Sequence, residues 1–126
     1  MSLRTPLARV LGLGSAREGT RHWWAQRLTA LALVPLVLWF VISVIGLIGA
    51  GRGAVLDWIE QPVVAGLMVL LIGAVFHHGQ LGVQVVIEDY VHNEAAKLVL
   101  IIFVKFAAVV LAVSGILAVL AIAFGA

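Results

Sequence analysis

Three stretches of this chain are almost free of charge, and that single feature narrows its folds more than any other. The first runs from Leu28 to Gly51, and the second lies between Glu60 and Glu88. The third, Leu98 to Ala126, carries one charge, Lys105. About 20 apolar residues suffice to cross a hydrocarbon layer about 30 Å thick, so each stretch is long enough to span it. Backbone N–H and C=O groups in lipid find no water, so a span must satisfy them internally, as a helix does. A β-barrel would show shorter segments alternating polar and apolar residues, and no such alternation is visible. Composition agrees: 63% of the residues are hydrophobic and 11% charged, against about 45–50% and about 25% in soluble domains. A soluble fold this apolar would expose large patches and aggregate. The expectation is an all-α integral membrane protein in one domain, residues 1–126, with an arm over 1–24 and three helices over 25–50, 60–88 and 94–124.

Local signals refine the spans. Pro35 removes a backbone donor inside the first, so a kink is expected there. Gly46, Gly49, Gly51 and Gly53 mark the exit, and Asp57, Trp58 and Glu60 form an interfacial segment before the second span. The chain has no cysteine, which excludes disulfides, thiolate zinc sites and iron–sulfur ligation within it. Membrane lipid is an expected partner, and nucleic acid is not.

The basic residues set the expected topology. Arg4, Arg9, Arg17, Arg21 and Arg27 precede the first span, whereas the first loop has only Arg52 and the second loop Lys97. By the positive-inside rule the N-terminus and second loop are cytoplasmic, and the first loop and C-terminus lie outside. Trp23, Trp24 and Trp58 fall near interfaces, where amphipathic rings prefer to sit. The arm resembles a transit peptide or a signal-peptide n-region. The apolar run after Arg27 is too long for a signal peptide, so the arm is read as a retained segment lying along a partner. A bacterial inner membrane is the expected location.

Ionisable groups at membrane depth are costly and usually functional. The second span has two, His77 and His78, and neutral imidazole is a common ligand of metals and haem iron. At 3.6 residues per turn, Leu71, Ala74, His78, Gly82, Val85 and Asp89 share a face. Small residues one turn either side of His78 leave room for a flat macrocycle. They equally allow close helix packing, with His78 in an interhelical hydrogen bond. His77 points about 100° away from His78, and adjacent histidines on one helix cannot both ligate one haem. The first and third spans hold no histidine, and His22 and His92 lie outside the core. A second iron ligand would therefore come from another chain. Glu88, Asp89 and Tyr90 end the second span; Tyr90 follows His78 by twelve residues, about 18 Å along a helix. A phenol there can donate a hydrogen bond to a quinone carbonyl and a neighbouring carboxylate can relay protons; tyrosines and acids are also ordinary at interfaces and in loops. Arg27 is placed to pair with haem propionates or lipid phosphates, and Lys105 to snorkel toward the cytoplasmic surface.

The segment from His78 through Gly82 to Asp89 and Tyr90 resembles the signature of the small haem b-binding membrane anchors of succinate dehydrogenase: a histidine, a glycine four residues on, and an Asp-Tyr pair ending twelve residues on. Arg27-Leu28-Thr29-Ala30 is similar to the arginine-x-threonine-alanine run that opens the family's first span. The resemblance implies a second three-helix anchor subunit, with haem b held between the two by one histidine from each. It also implies docking of an iron–sulfur subunit and a flavoprotein subunit on the cytoplasmic side, and ubiquinone reduced near that face. Carried over, His78 is the haem ligand, Tyr90 with Asp89 the quinone contact, and Arg27 a residue near the propionates. Some relatives have a histidine where this chain has Arg21, with His22 adjacent. Two other readings compete: a small homodimeric multi-helix transporter, and an assembly subunit without cofactor. A transporter usually places a carboxylate within a span, and here every acid lies at or outside a helix end.

Overall fold

The structure is a computed structural model that describes residues 6–7 and 16–125, with side chains from residue 19 in the longer stretch. Arg4, Arg9, the Arg17 side chain and Ala126 lie outside what is described. Within residues 16–125 four helices follow in order: α1 Ala16–Gly46, α2 Arg52–Glu60, α3 Pro62–Tyr90 and α4 Glu94–Ala123. Three of them, α1, α3 and α4, are long and apolar enough to cross a membrane, which matches the three expected spans.

The first helix departs from expectation at both ends. It opens at Ala16 rather than at residue 25 and closes at Gly46 rather than at 50. Residues 16–27 contain no proline and only one glycine among good helix formers such as Arg, Gln and Ala. The helix therefore continues out of the apolar zone, and residues 16–24 of the expected arm are helical. It stops where short-range turn bonds replace the helical ladder, such as Leu47 N–H to Val44 O at 3.0 Å. Gly49 then takes a positive φ of 83°, a conformation only glycine adopts without penalty. Pro35 sits within the continuous helix. The interfacial segment forms a helix of its own, α2. Its Trp58 stacks on Trp39 of α1 with ring centroids 5.8 Å apart, which ties the loop to the first span.

The other boundaries are set by local chemistry. Pro62 occupies the first turn of α3, where its missing N–H costs nothing. Asn93 caps α4, its Oδ1 accepting from the Ala96 N–H at 3.1 Å. Lys97 and Glu94 pair at 3.4 Å on the exposed first turn, a contact of little energetic weight.

Helix α3 is the middle of the molecule, packing against α1 on one side and α4 on the other. Among the described residues it supplies five of the six buried apolar ones, Val64, Ala65, Leu71, Leu81 and Ile87, the sixth being Val119 of α4. The α3–α4 approach is close because Gly115 leaves room for Ile72, whose atoms lie 3.4 Å from where a Cβ would stand. Small residues at membrane helix interfaces permit this approach, since dispersion and packing drive association there. Outside that seam the surface is apolar and open: Leu31, Ile42, Phe103 and Phe106 are each at least two-thirds exposed. In water such a surface would drive aggregation, whereas lipid can cover it at no such cost.

Candidate functional site

Helices α1 and α3 run antiparallel, and their seam carries the polar residues at membrane depth. Thr29 of α1 meets His78 of α3, with Oγ1 and Nδ1 3.1 Å apart. Further along, Gln26 meets Gly82, its Nε2 3.7 Å from where a Cβ would be. The register thus pairs Thr29 with His78 and Gln26 with Gly82. The face expected to carry His78 and Gly82 is turned toward α1. An interhelical hydrogen bond to His78 is present, whereas Gly82 meets α1 in an ordinary van der Waals contact with the Gln26 side chain.

The Thr29 hydroxyl is further engaged on its own helix. Its Oγ1 lies 2.7 Å from the Ala25 carbonyl oxygen and 3.1 Å from that of Gln26. This back-bonding to the preceding turn is the usual way a threonine satisfies itself inside a helix. Toward the N-terminus the stripe continues through Gln26 to His22. Gln26 Oε1 and His22 Nε2 are enclosed with no hydrogen-bond partner among the described residues. Enclosed polar atoms are normally paired, so the seam holds two open hydrogen-bonding positions near the level of His78 and beyond it. His22, which the sequence placed outside the core, belongs to this seam.

His77 faces elsewhere. With Thr29, Ala32, Gly73 and Ala74 it borders a cleft of about 550 Å³ between the helices. On its other side, with Gln80 and Lys105, it borders a second cleft of about 300 Å³ between α3 and α4. Gln80 also starts a ladder along α3: its Nε2 donates to Gln84 Oε1 at 3.2 Å, and Gln84 Nε2 donates to Glu88 Oε1 at 3.0 Å. The i, i+4 spacing of these three residues was present in the sequence and is the signal that could have found them.

The remaining expected site residues stand apart. Arg27 is exposed, and its guanidinium carbon lies 5.2 Å from the centre of the Trp23 ring, a cation–π contact. Two residues before Thr29, it lies close to the level of His78. Asp89 and Tyr90 end α3 and are exposed, Tyr90 to 78%, far along the helix from His78. No group of three or more His, Cys, Asp or Glu residues capable of holding a metal occurs among the described residues. Thr29 was visible in the sequence only as part of a motif. Its contact with His78 depends on the helix register, which no local pattern sets.

Comparison with known proteins gives these features a family. A model of the succinate dehydrogenase/fumarate reductase transmembrane subunit matches residues 1–112. The succinate dehydrogenase hydrophobic membrane anchor subunit of Rickettsia bellii is 33% identical over 118 residues, covering 92% of this chain and 93% of its own length. That of Paracoccus denitrificans is 34% identical over 108 residues, covering 86% and 84%. The succinate dehydrogenase membrane anchor subunit of Reclinomonas americana is 30% identical over 96 residues, covering 74% and 80%. With three apolar helices of spanning length and a family match over most of its residues, this multi-pass protein of the bacterial inner membrane belongs to the succinate dehydrogenase/fumarate reductase transmembrane subunits.

Proposed function

We propose that the chain anchors a succinate:quinone oxidoreductase in the membrane, holds one face of haem b through His78, and forms part of the site where ubiquinone is reduced. The observation that carries this reading is the setting of His78. It is half-buried at membrane depth in the α1–α3 seam, and one ring nitrogen is bonded to Thr29. The residues fit the group: an oriented imidazole has a second nitrogen with no protein hydrogen bond among the described residues. His22 and Gln26 offer unpartnered polar atoms along the same seam.

Haem, when bound, supplies a one-electron relay within the membrane. His78 would hold and orient it, and Arg27 would neutralise propionate charge at the same level. Tyr90 donates a hydrogen bond to a quinone carbonyl at the helix end, and Asp89 beside it holds a proton for the reduced product. A second three-helix anchor subunit would contribute the other iron ligand, since no second histidine shares the depth of His78 on another span. On the cytoplasmic side the assembly receives its iron–sulfur and flavoprotein subunits. The arginines that precede the first apolar stretch favour an N-terminus and an α3–α4 loop on that side, with the C-terminus outside. A reporter fused after Ala126 and active only in the cytoplasm overturns that orientation.

The test is the reduced-minus-oxidised absorption spectrum of the intact complex purified through this chain. A b-type α band is the expected result. A difference spectrum without that band removes the haem role and favours an assembly subunit that binds no haem.

A further inference from the structure

We infer that Thr29 is a positioning residue that fixes the ring tautomer of His78, protonated on Nδ1, and so keeps Nε2 available as the iron-binding nitrogen. The inference rests on the proposed ligand role of His78. It starts from a count of hydrogens. A threonine hydroxyl has one proton to give. Thr29 Oγ1 is 2.7 Å from the Ala25 carbonyl oxygen and 3.1 Å from the Gln26 carbonyl oxygen, and both can only accept. The proton is therefore spent on the helix backbone. The remaining contact, 3.1 Å to His78 Nδ1, then needs its proton from the ring. His78 Nδ1–H donates to Thr29 Oγ1, and in a neutral imidazole Nε2 keeps its lone pair.

Two consequences follow. The hydrogen bond holds the ring plane against α1, so Nε2 has a fixed direction before any ligand arrives. Donation from Nδ1–H also raises the basicity of Nε2, as outer partners of ligating histidines do. A more basic ligand would favour ferric over ferrous iron and so lower the midpoint potential. Thr29 thus influences both retention and potential without touching the iron.

The experiment compares Thr29→Val, which removes the hydroxyl at nearly constant shape, with Thr29→Ser, which keeps it. Both are made in the intact complex, beside His78→Ala. Thr29→Val is expected to raise the midpoint potential and to speed haem transfer to an apoprotein acceptor by about 10–100-fold, the usual cost of losing an outer partner. Thr29→Ser is expected to stay near wild type in both. A Thr29→Val complex with unchanged potential and retention overturns the inference, and so does a Thr29→Ser complex that behaves like Thr29→Val.

Nitrogen NMR of the full chain, labelled at histidine and free of haem, gives an independent reading that survives failed assembly. His78, assigned by its loss in His78→Ala, is expected to show a protonated Nδ1 and an unprotonated Nε2. The opposite tautomer overturns the inference. Haem that survives His78→Ala unchanged overturns the ligand role instead, and leaves the tautomer to the NMR result.

Discussion

His77 and His78 are neighbours in sequence and strangers in space. His78 is half-buried against α1 and hydrogen-bonded to Thr29, whereas His77 is exposed and borders clefts on both sides of α3. A rotation of about 100° per residue is the whole cause. One residue hydrogen-bonds to a threonine that can orient it; the other borders open clefts, one of them beside a glutamine and a lysine. Identical side chains at the same depth thus acquire different chemistry from helix phase alone. An oriented ring suits ligation. An unanchored one suits solvation or contact with lipid and partner side chains.

The strongest way to break this contrast is to remove each histidine in turn from the assembled complex. His78→Ala is expected to lower haem affinity by more than the 10–100-fold typical of losing an outer partner. His77→Ala is expected to leave haem content within about twofold, since a change away from the iron should cost about 0.5 kcal/mol or less. Haem quantified against protein decides the matter, and reversed results assign the ligand to His77.

A smaller effect is expected at the far end of α3. Tyr90→Phe removes one hydroxyl and little volume. A lost hydrogen bond costs about 0.5–1.5 kcal/mol, more if the acceptor gains charge, and about 1.4 kcal/mol is a factor of ten. Quinone reduction should fall several-fold or more, while haem content and succinate oxidation with an artificial acceptor stay normal, because His78 is about 18 Å away along the helix. Normal quinone reductase activity in this variant removes Tyr90 from the site.

The smallest effect sharpens the other face. Gln84→Leu breaks the middle of the Gln80–Gln84–Glu88 ladder. Pairs at this spacing are worth about 0.2–0.5 kcal/mol each, so the loss should be under about 1 kcal/mol, with an unchanged haem spectrum. A loss of haem from this substitution would show that the two faces of α3 are coupled.

The contrast also shows what a linear reading reaches. The three spans were legible because uncharged runs of that length have few alternatives, and the start of α4 fell at Glu94 as expected because Asn93 caps it. The start of α1 was not legible, since polar residues that favour helix extend it beyond the apolar zone. The shared face of His78 and Gly82 followed from period alone, but what that face meets did not. The pairing of Thr29 with His78 depends on how two helices slide past each other, and no local pattern records that offset. His22 lies beyond the apolar run, yet the same offset brings it into the seam. Arg27 was expected near haem propionates; in the chain itself it rests on Trp23, a contact set by the i, i+4 spacing of the two residues.

The most direct measurement is low-temperature EPR of the oxidised complex carrying His78→Ala, recorded with and without added imidazole. Loss of the low-spin haem signal, restored when imidazole enters the space left by the side chain, is the result expected if His78 Nε2 is an iron ligand. A low-spin signal that persists unchanged in His78→Ala without imidazole would contradict it.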